Sequence, residues 1–164
     1  MGRIHQPRDL FLQLVGEALY VERRLAGEVL PKLLQDVHDE DLRNVLSEHL
    51  EETRGHVENA ERAFRHVRAE PTALRSAAFE GAVGDHERTA GEVSEPTLAD
   101  YFHAAAAAQT EHWEIAVYSA AIELGGQLGW DDAVKPLEAS RKEERHALKK
   151  LEKILGRLAG VSAG

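Results

Sequence analysis

The chain contains no cysteine in 164 residues. This excludes disulfides, thiol nucleophiles, thiolate zinc sites and cysteine-ligated iron–sulfur clusters. Methionine occurs once, at Met1, so no methionine-rich binding surface is available. Aromatic residues make up only 5%, while Ala, Leu, Glu and Arg abound, a mix that favours helix over sheet. No apolar run approaches the roughly 20 residues of a membrane span. Positive charge is short: 20 Lys and Arg stand against 29 Asp and Glu, for a net charge of -9. Nucleic acid and anionic membrane are therefore expected to be poor partners. There is no glycine-rich phosphate loop and no serine in a nucleophile elbow. The N-terminal MGRIHQPRDLF lacks the basic head, apolar stretch and cleavage site of a signal peptide, so a cytoplasmic protein is expected.

What is present is a length suited to one domain spanning 1–164, and four amphipathic helical patterns. The first should start at Asp9 as N-cap and run to about Val37. Its apolar stripe is Phe11, Leu14, Val15, Ala18, Leu25, Ala26, Val29 and Leu33. Glu22 falls mid-stripe, and Pro31 should kink the helix or thin its hydrogen bonding. The second runs from about Asp41 to Val67, with Leu42, Val45, Leu46, Val57, Ala60, Phe64 and Val67 inward. The middle of that stripe is polar: His49, Thr53 and His56, with Glu52 at its edge. Residues 68–95 form a connection too long to be structureless, and a short helix over about Ala73–Thr89 is expected inside it.

The third long helix should start near Pro96 and stop at Gly125-Gly126 or Gly129. Its inward stripe reads Tyr101, Ala104, Ala108, Glu111, Ile115, Ser119 and Ile122, with His112 on the other edge. The fourth starts at Asp131 or Asp132. Pro136 is tolerable there only in or before the first turn. Leu137, Leu148, Leu151, Leu155 and Leu158 line it, with Glu144 centred among them. The terminal GVSAG is expected to fray.

Each long helix thus carries a glutamate on its apolar face: Glu22, Glu52, Glu111 and Glu144. A lone buried carboxylate costs several kcal/mol unless paired or neutralised. The stripes offer no buried Lys or Arg. A metal pair held inside a bundle is the natural partner. Bundles of that kind use one Glu from each of two helices and a Glu with a His three residues on from the other two. Glu22 and Glu111 suit the first role; Glu52 and Glu144 suit the second. The fit is imperfect, because Gly55 stands three after Glu52 and His56 comes one later. Glu143 and His146 have the three-residue spacing but lie off the leucine stripe, so they read as a pair on a charged face. The simpler reading of each residue alone stays open: Glu at a stripe boundary with its head in water, His49 as a hydrogen-bonded core histidine, His112 and Glu114 on a solvated face. Tyr20, Tyr101 and Tyr118 are candidate redox or hydrogen-bonding neighbours of a metal site, or simply packing residues. Fe, Mn and Zn all accept such ligands.

The stretches LFLQLVGEALYVERRLAGEVLPKL, LSEHLEETRGHVE and QTEHWEIAVYSAAIELGGQLG followed by KEE resemble the YciE/YciF-type ferritin-like proteins, a bacterial stress-associated family. The resemblance covers about residues 8 to 155, and the motifs E-H-L-E-E-T-x-x-H and E-H-W-E-I-A-x-Y carry most of it. It implies an all-α, ferritin-like antiparallel four-helix bundle with a short extra helix in the crossover between helices two and three. It further implies a homodimer and a centre of two metal ions, iron first, with Mn or Zn as alternatives. The implied ligands are Glu22, Glu52, His56, Glu111 and Glu144, with His49 and Glu114 in first or second rank. Bridging carboxylates would come from Glu52 and Glu144, terminal ones from Glu22 and Glu111. One departure concerns Leu148, where family members often carry an acidic residue. The activity implied is of ferroxidase type: oxidation of Fe(II), or handling of oxygen or peroxide under stress. The alternative is a metal-free helical dimer acting as a stress-associated interaction protein.

Overall fold

The computed structural model describes residues 4–162, the side chains of 161 and 162 excepted. Helix α1 spans Pro7–Arg24, α2 Leu30–Asp36, α3 Glu40–His66, α4 Ala77–Ala90, α5 Pro96–Gln127 and α6 Asp131–Ser162. A π-helical turn, Leu25–Val29, joins α1 to α2 without a break. The chain is all-α among the described residues. At Pro31 the altered hydrogen bonding takes the form of this turn. Proline has no N–H to give to Gly27, and the Leu30 N–H reaches five residues back to Leu25.

Chemistry at the ends sets the boundaries. Pro7 takes the first position of α1, so Gln6 and not Asp9 is the N-cap. Asp9 sits at the third position, and its carboxylate accepts from the backbone N–H of Gln6 at 3.1 Å. Asp39 caps α3 through the Leu42 N–H at 2.9 Å. Helix α5 ends at Gly129, whose φ of 70° is the left-handed conformation that glycine adopts freely. Trp130 N–H then donates to Gly125 O and Gly129 N–H to Gly126 O, both at 3.0 Å, a Schellman stop. Pro136 lies in the second turn of α6, later than expected. Its missing bond would have gone to Asp132, which is exposed and can turn its carbonyl to water. Of the expected frayed tail, residues 163 and 164 lie outside the described residues.

The four long helices each touch two neighbours, in the order α1, α3, α6, α5 and back to α1. Contacts between ends fix their directions. Arg8 of α1 donates to Val67 O beyond the end of α3. Arg157 late in α6 pairs with Asp39 at the start of α3. Phe11 and Val134 both lie against Gly125 at the end of α5. Every adjacent pair is therefore antiparallel, and α4 belongs to a crossover that carries the chain back along the bundle.

Burial follows a seven-residue repeat. Leu42, His49, His56 and Ala63 are buried on α3, and so are Leu46, Thr53 and Ala60, with Val67 just past its end. On α6 the same holds for Leu137, Glu144, Leu151 and Leu158. On α5 it holds for Ala104, Glu111, Tyr118 and Gly125. A strict seven-residue repeat is the signature of helices that coil gently left-handed about one another. Along the bundle the core divides in two. Leu25, Leu33, Leu46, Phe79 and Leu151 belong to one apolar cluster. Phe11, Leu19, Phe64, Tyr118 and Leu137 belong to the other. On α5 and α6 the buried Glu111, Glu114 and Glu144 fall between the two clusters in sequence, while on α1 and α3 Glu22 and His49 lie at the inner edge of the first cluster, next to Val21 and Leu50.

Candidate metal centre

The middle layer gathers seven buried polar side chains: Glu22 from α1; His49, Thr53 and His56 from α3; Glu111 and Glu114 from α5; Glu144 from α6. Two groupings bring possible ligand atoms within 4.8 Å of one another. One comprises His49, Glu111, Glu114 and Glu144; the other comprises Glu22, His56 and Glu144. Glu144 belongs to both.

Contacts within the layer are close but are largely not hydrogen bonds. His56 Nδ1 stands 2.8 Å from Glu144 Oε1 and 3.5 Å from Glu22 Oε1. His49 Nε2 stands 3.1 Å from Glu111 Oε1 and 3.9 Å from Glu144 Oε2. Yet His56 Nδ1, both oxygens of Glu144, both oxygens of Glu114, and one each of Glu22 and Glu111 have no aligned hydrogen-bond partner. Such orphaned buried atoms are normally rare. Among the described residues, the orphans outside this layer reduce to Gln13 Oε1. Nitrogen and oxygen atoms held about 2.0–2.2 Å from a common ion lie roughly 3 Å apart, without donating to each other. The donor set and the spacing therefore fit a metal.

Outside the layer each imidazole has a second carboxylate. His56 Nε2 is 2.9 Å from Glu143 Oε2, although Glu143 is 48% exposed. His49 Nδ1 is 3.6 Å from Glu52 Oε2, an ion-pair distance too long for a hydrogen bond. Tyr118 donates a short hydrogen bond to Glu22 Oε1. Thr53 donates to the His49 carbonyl at 2.8 Å, which fills its own hydroxyl need and leaves its methyl to pack.

The electrostatics follow from burial. Loss of water pushes the Glu111 and Glu114 carboxyls well above the usual range, and neighbouring carboxylates push them further. Glu22 is raised by the same burial, partly offset by His56. Glu144 is buried too, but the imidazole of His56 beside it overrides this and holds it at about 2. His56 is the counterpart: burial opposes its charge, yet Glu22 and Glu144 raise it to about 11. The layer thus pairs His56 with Glu144, while burial works against the charged forms of Glu22, Glu111 and Glu114. Two divalent ions would balance four ionised carboxylates beside two neutral imidazoles.

Of the residues singled out in the sequence, Glu22, His56, Glu111 and Glu144 come together, and His49 and Glu114 join them. Glu52 does not. It lies at the edge of the α3 stripe, its side chain 22% exposed, and it faces the outer nitrogen of His49. His49 lowers its pKa from the ordinary carboxylate value. Tyr101 is exposed and Tyr118 takes the inward position on α5. Ser119 gives way likewise, and His112 is exposed. Tyr20 is remote, donating to Glu80 of α4 at 2.8 Å. Glu143 stands on the charged face that its spacing predicts, and from there it reaches His56 across the helix pair, a contact that spacing along one helix does not show.

Residues 6–163 match the family described as a domain of unknown function, DUF892. The chain belongs to that family. Protein YciF of Escherichia coli K12 is 28% identical over 138 residues, 84% of this chain and 82% of its own length. The crystal structure of that stress protein superposes with a TM-score of 0.89, covering 96% of this chain and 99% of that one at 26% identity. YcfI of Rhodopseudomonas palustris, described with a proposed structural role, gives 0.88 at 32% identity, over 91% of this chain and 94% of that one. A Xanthomonas campestris protein at 16% identity and TM-score 0.69 shares the fold. The family is thus of the YciE/YciF type, and the fold is the ferritin-like bundle with a crossover helix. No described helix is long and apolar enough to cross a membrane.

Proposed function

We propose that this protein is a di-metal carboxylate protein of the ferritin-like type. The observation that carries the reading is the layer of convergent buried atoms without hydrogen-bond partners, with Glu144 common to both groupings. Glu22 and His56 would hold one ion, and His49, Glu111 and Glu114 the other. Glu144 would lie between the two. Glu52, outside both groupings, is better cast as a support for His49 than as a bridge. Two irons held there would supply redox chemistry toward oxygen or peroxide. The protein contributes anionic oxygen, which favours oxidised, highly charged ions, and apolar clusters on either side that limit water. Oxidation of Fe(II), or disposal of oxygen or peroxide during stress, is the activity that suits this set. The E. coli relative is described as a stress protein, which supports the context.

Anaerobic addition of Fe(II) followed by air tests the activity: the reading expects Fe(II) loss faster than in buffer, and a variant with His56→Ala should lose the acceleration. Equal rates with and without protein would end it. We further propose a cytoplasmic homodimer that contacts neither nucleic acid nor membrane, in keeping with a net charge of -9. Light scattering should give about twice the 18.2 kDa chain mass.

A second reading has its own support. The His56–Glu144 pair already neutralises two charges without a metal, and the Rhodopseudomonas relative is described with a structural role. A metal-free interaction dimer would show thermal stability indifferent to chelator and to added Fe(II) or Mn(II).

A further inference from the structure

We propose that Glu143 is a positioning residue for His56, and Glu52 its weaker counterpart for His49, so that the two imidazoles address the centre through different nitrogens. This rests on the metal reading above, but its observations are separate from it. His56 turns Nδ1 inward, toward Glu22 and Glu144, and gives Nε2 to Glu143 at 2.9 Å. His49 does the reverse. Its Nε2 faces Glu111 and Glu144, and its Nδ1 faces Glu52 at 3.6 Å. A carboxylate on the outer nitrogen keeps a proton there and leaves the inner lone pair for a cation. It also fixes the ring plane, which a single inner contact does not.

The two supports are built differently. Glu52 is on the same helix as His49, three residues on, and stops short of hydrogen-bond distance. Glu143 reaches across from α6 to α3 and makes the bond. It is adjacent in sequence to Glu144, so one turn of α6 supplies both the inner and the outer partner of His56. An exposed glutamate on a charged helix face is ordinarily a solubility residue. Here a half-exposed carboxylate holds a ring that is wholly buried.

The test uses protein labelled with nitrogen-15 in histidine, with Zn(II) alone as a diamagnetic probe. Ring-nitrogen shifts should show His56 bound through Nδ1 with its proton on Nε2, and His49 the opposite. Glu143→Ala should weaken Zn(II) binding roughly 10- to 100-fold and move the His56 Nε2 shift, while His49 stays put. Glu143→Gln keeps an acceptor and should restore much of both. Glu138→Ala, an exposed α6 glutamate, controls for lost charge and should change neither. Wild-type affinity and an unmoved His56 shift in Glu143→Ala would overturn the assignment. If the wild-type protein takes no Zn(II), the metal reading falls by itself. The positioning role is then judged on metal-free protein: a moved His56 Nε2 shift in Glu143→Ala upholds it, and an unmoved one overturns it.

Discussion

Glu114 shows the tension inside the site most plainly. It is 2% exposed, and neither carboxylate oxygen has a hydrogen-bond partner. Its pKa is raised well above 4.5 by burial and by Glu22, Glu144 and Glu111. A raised folded-state pKa means the contribution to stability is full below the unfolded value near 4.5 and is lost as pH rises through the folded value. Metal-free protein at neutral pH therefore bears the cost of this group. Glu114→Gln, neutral at every pH, should raise the urea midpoint of chelator-treated protein at pH 7.5, with a smaller gain near pH 4.5. It should also weaken metal binding. A variant that is no more stable at pH 7.5 than wild type would contradict the burial argument. His56→Ala and Glu144→Ala should each lower bound metal while leaving the helical circular dichroism intact; wild-type metal content in either would remove that residue from the site.

At the scale of elements, the crossover is held by small details. The Leu74 N–H donates to Gly16 O at 2.8 Å, and a Cβ at Gly16 would lie 2.9 Å from Thr72 O and 2.7 Å from Leu74. Backbone cannot give way there, so Gly16→Ala should cost about 1–3 kcal/mol, read as a lowered urea midpoint. Asp100 of α5 is buried and accepts from His38 N–H at 2.9 Å and Asp39 N–H at 2.8 Å, tying the start of α3 to α5. Asp100→Ala should cost about 1 kcal/mol, because two part-buried backbone donors lose their acceptor. A change under the error of the measurement would show, at Gly16, that the crossover is not held this way and, at Asp100, that the start of α3 is not tied to α5 this way.

Helix existence was legible in these same elements, because α3 and α6 contrast leucine with charge along their length. On α5 Ala104, Ala108, Glu111 and Ile122 are legible as inward, but the ends of the stripe are not. Ala104 to Ala108 offer no contrast between faces, and an expectation built on 3.6 residues per turn drifts against a bundle that repeats every seven. The drift put Tyr101 and Ser119 inward in place of Tyr118, and left Glu114 as a marginal candidate beside Glu111. Glu22, Glu111 and Glu144 are legible directly from the apolar faces; Glu52 is not settled by them, since it stands at a stripe edge, and Glu143 is not legible at all, since a contact from α6 to α3 depends on how the helices sit side by side.

At the scale of the molecule, the polar layer falls between two apolar clusters and all four long helices contribute to it. A bound ion should then stabilise the whole bundle by linkage, since the unfolded chain has no such site. Melting of chelator-treated protein should shift upward on adding Fe(II) or Mn(II), in a concentration-dependent way, and back on adding chelator. Glu143→Ala should shrink that shift without moving the metal-free melting point. The most direct test of the central claim is elemental analysis of protein purified without chelator and then loaded with iron under anaerobic conditions. The account predicts a metal-to-protein ratio of about two, as a paired bundle site requires. A ratio near zero after loading would contradict it.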